Sequence, residues 1–274
     1  MKLPSYATPI EKFTYYATLV FTALVLLFLI SPILAIMPLS FNSEPYFSYP
    51  MPGLSFRWYE DFYNNERWMN AVKISLLAAV LVTILSTILG TLAALGLSRA
   101  NLPFKPVILG VLISPMIVPV IITAVGIYLF YAQIGLIASI PGLVLAHTVL
   151  ATPFVVVTVT STLSGFDHSL SRAAAGLGAA PYRVFTSIML PIISPGVISG
   201  ALFAFVTSFD ELVVALFITS AEQRTLPKQM FAGIREQISP TITAAATILV
   251  VFSVTLLVGI ELLRRRTERL RGGG

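Results

Sequence analysis

Cysteine is absent from this chain of 274 residues, which excludes disulfides, zinc–thiolate centres and cysteine nucleophiles. Histidine is nearly absent: His147 and His168 stand alone, too few for a histidine metal cluster. Charge is scarce as well. Asp, Glu, Lys and Arg make up 11% of the residues, against about a quarter in a soluble domain. No G-x-x-x-x-G-K-[ST] stretch occurs, so the chain lacks the phosphate-cradling loop that ATP hydrolysis uses. No basic block reads as a nucleic-acid patch; the nearest, RRRTERLR at 264–271, directly follows an apolar run.

What is present is apolar. Hydrophobic residues make up 57% of the chain and the mean hydropathy is +0.90. Several runs exceed the ~18 apolar residues that mark a membrane-spanning helix. Six such runs lie at about 16–39, 71–97, 106–131, 140–163, 190–219 and 241–263. They predict an all-α integral membrane protein of six transmembrane helices forming one domain over 1–274. Their length argues against barrel strands, which need only ~10 residues and alternate in polarity. The first run, Ala17 to Met37, is longer than a signal-peptide core and no small-x-small cleavage site follows it, so it reads as a retained span.

Loop charges orient the spans. Lys2, Lys12, Arg99, Lys105, Arg172, Arg183, Arg264, Arg265, Arg266, Arg269 and Arg271 fall on one side. Arg57, Arg67, Arg224, Lys228 and Arg235 fall on the other, where Glu44, Glu60, Asp61 and Glu66 add negative charge. The positive-inside tendency then places both termini and the 164–189 segment in the cytoplasm. Pro32, Pro115, Pro119, Pro153 and Pro195 lie within apolar runs. Such prolines suit a route that opens and closes, and they also occur in static bundles, so they decide nothing alone.

Asp210 and Glu211 interrupt an apolar stretch, SFDELVVALF. Acids inside hydrocarbon are costly and usually functional. With a span starting at Pro191, Asp210 lies about 28 Å along it, near the outer interface. Two readings stand: a solvated or paired structural acid, and a carboxylate that attracts a cationic substrate. Tyr128 and Tyr131 carry the same choice between an aromatic belt and cation–π contact with a substrate amine. His147 reads as a helix-to-helix hydrogen-bonding residue before a proton relay. On the outer side, Leu226, Met230, Phe231, Ile234 and Ile238 recur at helical spacing and predict an amphipathic surface helix.

The segment 164–191 differs from its surroundings. Asp167 or Ser169 can cap a helix, Arg172 to Leu177 favours helix, and Gly178 can end it in the left-handed conformation. Pro181 suits the start of a second helix, with Val184, Phe185 and Ile188 turned inward, and Pro191 would reset the chain for the next span. The predicted shape is helix, glycine corner, helix at the membrane surface. Physics alone leaves open whether it is a plain connector or a docking element.

The pattern A-A-x-x-x-G-x9-I-x-L-P, filled by Ala173, Ala174, Gly178, Ile188, Leu190 and Pro191, resembles the EAA loop of permease subunits of binding-protein-dependent ABC importers. The stretches IISPGVISGALFAFVTSFDELVVALFITS and SPTITAAATILVVFSVTLL resemble the polyamine (spermidine/putrescine) permease-type family. The likeness runs from about residue 70 onward and implies a type I ABC importer permease fold in the bacterial inner membrane. It implies a coupling helix seated in a cleft of the ATPase, built from Arg172, Ala173, Ala174, Leu177, Gly178, Ile188, Leu190 and Pro191. It also implies a heterodimer with a homologous permease, two ATPase subunits that bind ATP and Mg²⁺, and a periplasmic substrate-binding protein. The chain itself would need no cofactor. One position departs: Arg172 stands where the family usually has Glu, reversing the charge offered to the cleft. Acids at Asp210 and Glu211 fit a cationic cargo. Opine-like or amino-acid-derived solutes and metal complexes remain alternatives, as do an intramembrane enzyme and an ion-coupled secondary transporter. Against these last two, the adjacent acids would point about 100° apart on a helix, and no internal repeat is evident.

Overall fold

The structure, a computed structural model, describes residues 8–98, 102–236 and 239–270. Lys2, Arg99, Ile238 and Arg271, and the side chains of Arg264, Arg265, Arg266 and Arg269, lie outside the described residues. Twelve α-helices occupy the described chain. They are α1 Pro9–Leu39, α2 Arg57–Asn64, α3 Glu66–Leu97, α4 Lys105–Ile117, α5 Val120–Ile134, α6 Ile140–Ser164, α7 His168–Gly176, α8 Pro181–Val184, α9 Leu190–Phe209, α10 Val213–Ile218, α11 Leu226–Glu236 and α12 Pro240–Leu270. A π-helical turn, Phe185–Met189, joins α8 to α9. Among the described residues four helices can cross a membrane by length and composition, α1, α3, α6 and the run Pro181–Phe209, and α4 with α5 can make a fifth if that bent pair is one span. Pro240–Thr255 is a shorter apolar stretch.

The chain divides into two compact units, residues 1–64 with 233–265, and residues 65–232 with 266–274. In the first unit α1 opens with a capping box, Thr8 and Glu11 each accepting the other's backbone N–H. None of its residues is buried. The loop after it is stitched to α2 by buried Asn42, whose side chain donates to the Tyr46 carbonyl at 2.8 Å and whose carbonyl accepts from Trp58 Nε1 at 2.6 Å. Thr241 at the start of α12 donates to Asp61 at 2.7 Å.

The second unit is built on α3, α6 and α9, packed against one another along small residues. Gly196, Gly200 and Ala204 repeat every four residues on the buried face of α9. Ser86, Gly90 and Ala94 do so on α3. Between them runs α6 with Ala151, Val155, Val159 and Leu163. Without a Cβ at Gly90 and Gly200 the two helices close on Val155, which is fully buried. Such stripes are how membrane helices gain packing when lipid is as apolar as leucine.

Two expected spans are not single straight helices. The run expected over 106–131 is α4 followed by α5, with axes 102° apart. Val118 and Pro119 are extended, at ψ 133° and 125°. Proline lacks the amide the helix needs and pushes its predecessor out of the helical region. The run expected over 190–219 begins earlier, at Pro181, and is broken after Phe209, with Asp210, Glu211 and Leu212 separating α9 from α10. Pro191 does not reset the chain. The helix passes through it because the π turn shifts the bonding register, Leu190 N–H donating to Phe185, which lets the wider turn absorb a residue with no N–H.

Candidate functional site

The break between α9 and α10 holds Asp210 and brings Ser208 and Glu211 beside His147. Asp210 ends α9, its amide donating to the Val206 carbonyl at 3.0 Å. Glu211 turns back over the start of α10: Oε1 accepts from Val214 N–H at 2.8 Å and Oε2 from Ala215 N–H at 3.0 Å. It thus satisfies two of the orphan amides that every helix start leaves. His147 from α6 reaches the same carboxylate, Nε2 to Oε2 at 3.4 Å, within ion-pair reach but longer than a formed hydrogen bond. Its Nδ1 lies 3.0 Å from Ser208 Oγ of α9. A carboxylate only accepts, so the neutral tautomer that suits this site has its proton on Nε2, and in that tautomer Nδ1 accepts from the serine hydroxyl. All three side chains are buried, His147 completely and Glu211 to 9% exposure.

The other end of α10 is closed by a cation. Lys228 of α11 donates to the Thr219 carbonyl at 2.7 Å and to Thr219 Oγ1 at 2.8 Å. Ala138 N–H donates to the Ile218 carbonyl at 2.8 Å. Burial, with Arg224 nearby, pushes the Lys228 ammonium below the usual lysine value. The six residues of α10 therefore have an acid at the positive end and a lysine at the negative end, the arrangement the helix dipole favours. Lys228→Met leaves these oxygens without their charged donor. It is expected to cost on the order of 1–3 kcal/mol, read as a lower thermal midpoint of the purified permease; an unchanged midpoint would assign the cap no role in stability.

The tyrosines part company here. Tyr131 is buried in the core on α5, its ring 6.0 Å from that of Phe130, while Tyr128 is exposed. On α11 Leu226 and Gln229 are buried and Ile234 is exposed. Sequence reasoning missed Ser208, while His147, read as a helix-to-helix hydrogen-bonding residue, does bond between helices, meeting Ser208 across 61 residues of chain. One local signal was available: an acid just ahead of an apolar hexapeptide is a helix-start signature.

A serine, a histidine and an acid in line invite comparison with a nucleophile and its base. Burial argues otherwise. Ser208 is 4% exposed, and both Glu211 oxygens already accept backbone amides, so the group braces the fold.

The second candidate region is 164–191. Asp167 caps α7, accepting from Ser169 N–H at 2.8 Å and Ser169 Oγ at 2.6 Å. These bonds, aided by Arg172 and His168, hold its carboxyl below the usual value. Gly178 sits at φ 83°, where glycine is at ease. The last carbonyls of α7 are taken up by Leu177, Gly178 and Ala179 amides, bonding to Ala173, Ala175 and Ala174 at 3.1, 3.0 and 3.1 Å. Pro181 starts α8. Arg172, Ala173, Leu177 and Gly178 are exposed, Ala174 is half-buried, and Leu177 is 90% exposed. Ile188 and Leu190 instead pack, partly buried, against the core, with Pro191 exposed beside them. The segment is a stiff corner with an apolar tip, continuous with α9.

Comparison with known proteins bears on both regions. Residues 86–269 match the family described as binding-protein-dependent transport system inner membrane component. The spermidine/putrescine transport system permease protein PotC of Haemophilus influenzae is 33% identical over 90% of this chain and 96% of its own length. The putrescine transport system permease protein PotI of Escherichia coli is 34% identical over 81% of each. A chain from a bacterial ABC transporter that imports the acidic polysaccharide alginate superposes with a TM-score of 0.73 at 15% identity, over 96% of this chain and 99% of that one. The chain belongs to the family of binding-protein-dependent transport system inner membrane components: it is the multi-pass inner-membrane permease of an ABC importer, works with a separate ATPase and a substrate-binding protein, and holds no ATPase domain of its own.

Proposed function

We propose that this chain is one half of a type I importer for a polyamine or a related organic cation. Six spans, with both termini and 164–189 in the cytoplasm, follow from the run lengths and the loop charges. The chain pairs with a homologous sister permease, and two ATPase subunits bind ATP and Mg²⁺. A periplasmic protein delivers the cargo. The observation that carries the reading is the 33% identity to a spermidine/putrescine permease over 90% of the chain, joined by acids at the α9–α10 break. In this reading Asp210, with exposed Tyr128, lines the cation's route, while Glu211 and Tyr131 are buried in the fold beside it. ATPase closure moves the 164–191 corner, and its contacts must differ between the two states for that motion to be driven.

The test is ATP-driven uptake by proteoliposomes holding both permeases and the ATPase, supplied with the cognate binding protein. Putrescine and spermidine are expected to be carried and to compete with each other, while a neutral sugar and an opine are not. Uptake of the opine or sugar with no polyamine uptake would overturn the cation reading. Mild detergent extraction is expected to bring the ATPase along with the permease.

A further inference from the structure

The two adjacent acids at the α9–α10 break are not equivalent, and the geometry points to a division of labour between them: Glu211, held by His147 and Ser208, is a positioning residue that fixes the break, and Asp210 alone meets the cation. This rests on the cationic cargo proposed above and goes one step further, because it says which carboxylate selects the cargo and what holds it in place.

Glu211 has no capacity left over. One oxygen takes the Val214 amide and the other takes Ala215, with His147 Nε2 also facing the second. Only 9% of the residue is exposed. A cation reaching this carboxylate would have to displace backbone amides and leave them buried without partners, a costly exchange. Asp210 is the opposite case. It is exposed, and among the described residues no hydrogen bond or ion pair engages its carboxylate. It sits at the last turn of α9, where the backbone leaves the helix. Its direction is therefore set by how the chain breaks.

Three contacts set that break. Glu211 supplies the α10 start with its cap, and Ser208 ties the end of α9 to His147. Through His147 both are tied to α6, whose Val155 and Val159 are fully buried between neighbours. The imidazole serves as a two-ended strut, hydrogen-bonded to Ser208 of α9 at Nδ1 and facing the α10 cap with Nε2. Remove the strut and α9 has no reason to stop at Phe209, since the residues beyond Leu212 are themselves helical. A continuous helix would rotate Asp210 to a new bearing.

Two readouts on the reconstituted importer separate the roles: putrescine uptake with saturating loaded binding protein, and amide exchange across 212–216. Asp210→Asn is expected to lower uptake at least about tenfold with exchange unchanged, and Asp210→Glu to restore most of it. Glu211→Gln and His147→Phe are expected to speed exchange at the Val214 and Ala215 amides at least about tenfold and to lose uptake in step. His147→Gln, which can still donate towards Glu211, is expected to recover both. Should His147→Phe fail to assemble, Ser208→Ala removes only the hydroxyl on Nδ1 and carries the same test with a smaller effect. Loss of uptake in Glu211→Gln with exchange untouched would put Glu211 on the cargo and overturn the inference, as would full uptake in Asp210→Asn. A wild-type importer that carries no polyamine overturns the cation reading and the role given to Asp210, and the exchange rates then decide the positioning role alone.

Discussion

Gly200→Leu is expected to leave almost no folded permease in the membrane, whereas Gly126→Leu is expected to leave the yield near wild type. Both glycines lie inside apolar helices, α9 and α5. At Gly200 a Cβ would stand 2.6 Å from Thr158 Oγ1, 2.9 Å from Val155 Cα and 3.3 Å from Val155 Cγ1. One of these is backbone, so no side-chain rotation relieves it, and the rest of a leucine would follow. At Gly126 a Cβ would meet nothing within 4 Å. Overpacking a core costs about 1–3 kcal/mol even where side chains can shift. Here the helices themselves must separate, and Val155 also fills the space over Gly90, where a Cβ would come within 2.6 Å of Val155 Cβ. A wedge at Gly200 is therefore felt on α3 as well. Gly196 presents the same problem towards Thr162 and Thr158. The measurement is the monodisperse fraction after detergent extraction, with the thermal midpoint of whatever remains. Equal yields for the two substitutions would mean that close helix approach is not what holds α3, α6 and α9 together.

That packing explains which parts of the molecule were legible in advance. Long apolar runs reveal where helices lie, because hydrocarbon admits little else, and α3 and α6 fall close to where those runs predict, while α9 covers only the first part of its run. Local chemistry was equally plain in 164–191. Asp167 caps, Gly178 takes positive φ and Pro181 opens the next helix, since each depends on one residue and its immediate neighbours. Breaks inside apolar runs were harder. Pro119 was visible, yet a proline in a membrane helix can kink, pass or break, and Pro191 passes by way of a π turn while Pro119 breaks. Asp210 and Glu211 were read as neighbours on one helix, about 100° apart. The structure ends the helix between their roles. The deciding partner, His147, sits on another helix and is joined to Ser208 across 61 residues. No periodicity reports such a contact, because it arises only when α6 and α9 have already packed.

Leu177→Asp is expected to abolish ATP-driven uptake while leaving the fold and the ATPase itself intact. Leu177 is 90% exposed at the end of α7, in a segment where Leu170 and Tyr182 are exposed as well. A bare leucine at the tip of a capped, glycine-ended corner contributes nothing to this chain's own packing. Its substitution should therefore leave stability within about 0.5 kcal/mol of wild type. Docked in an ATPase cleft, the same side chain gives up about 1.5–3 kcal/mol of burial when lost. An aspartate adds the cost of burying an unpaired charge, so the contact should weaken at least about a hundredfold. The effect on transport follows from the stiffness of the corner. The α7 cap, the Gly178 turn, α8 and the π turn lead directly into α9, whose Ile193 is fully buried. In the proposed coupling, motion imposed at the tip reaches the α3–α6–α9 core only while the tip stays seated. The expected signature is residual ATP turnover without uptake, alongside a normal thermal midpoint. Arg172→Glu, at another exposed position of the corner, introduces the acid that the resemblance to the EAA loop implies. A matched partner cleft predicts a loss of coupling for that change as well, whereas a gain would mean the ATPase has not adapted to Arg172. Wild-type uptake by Leu177→Asp would remove the 164–191 corner from the path by which ATP hydrolysis reaches the membrane helices.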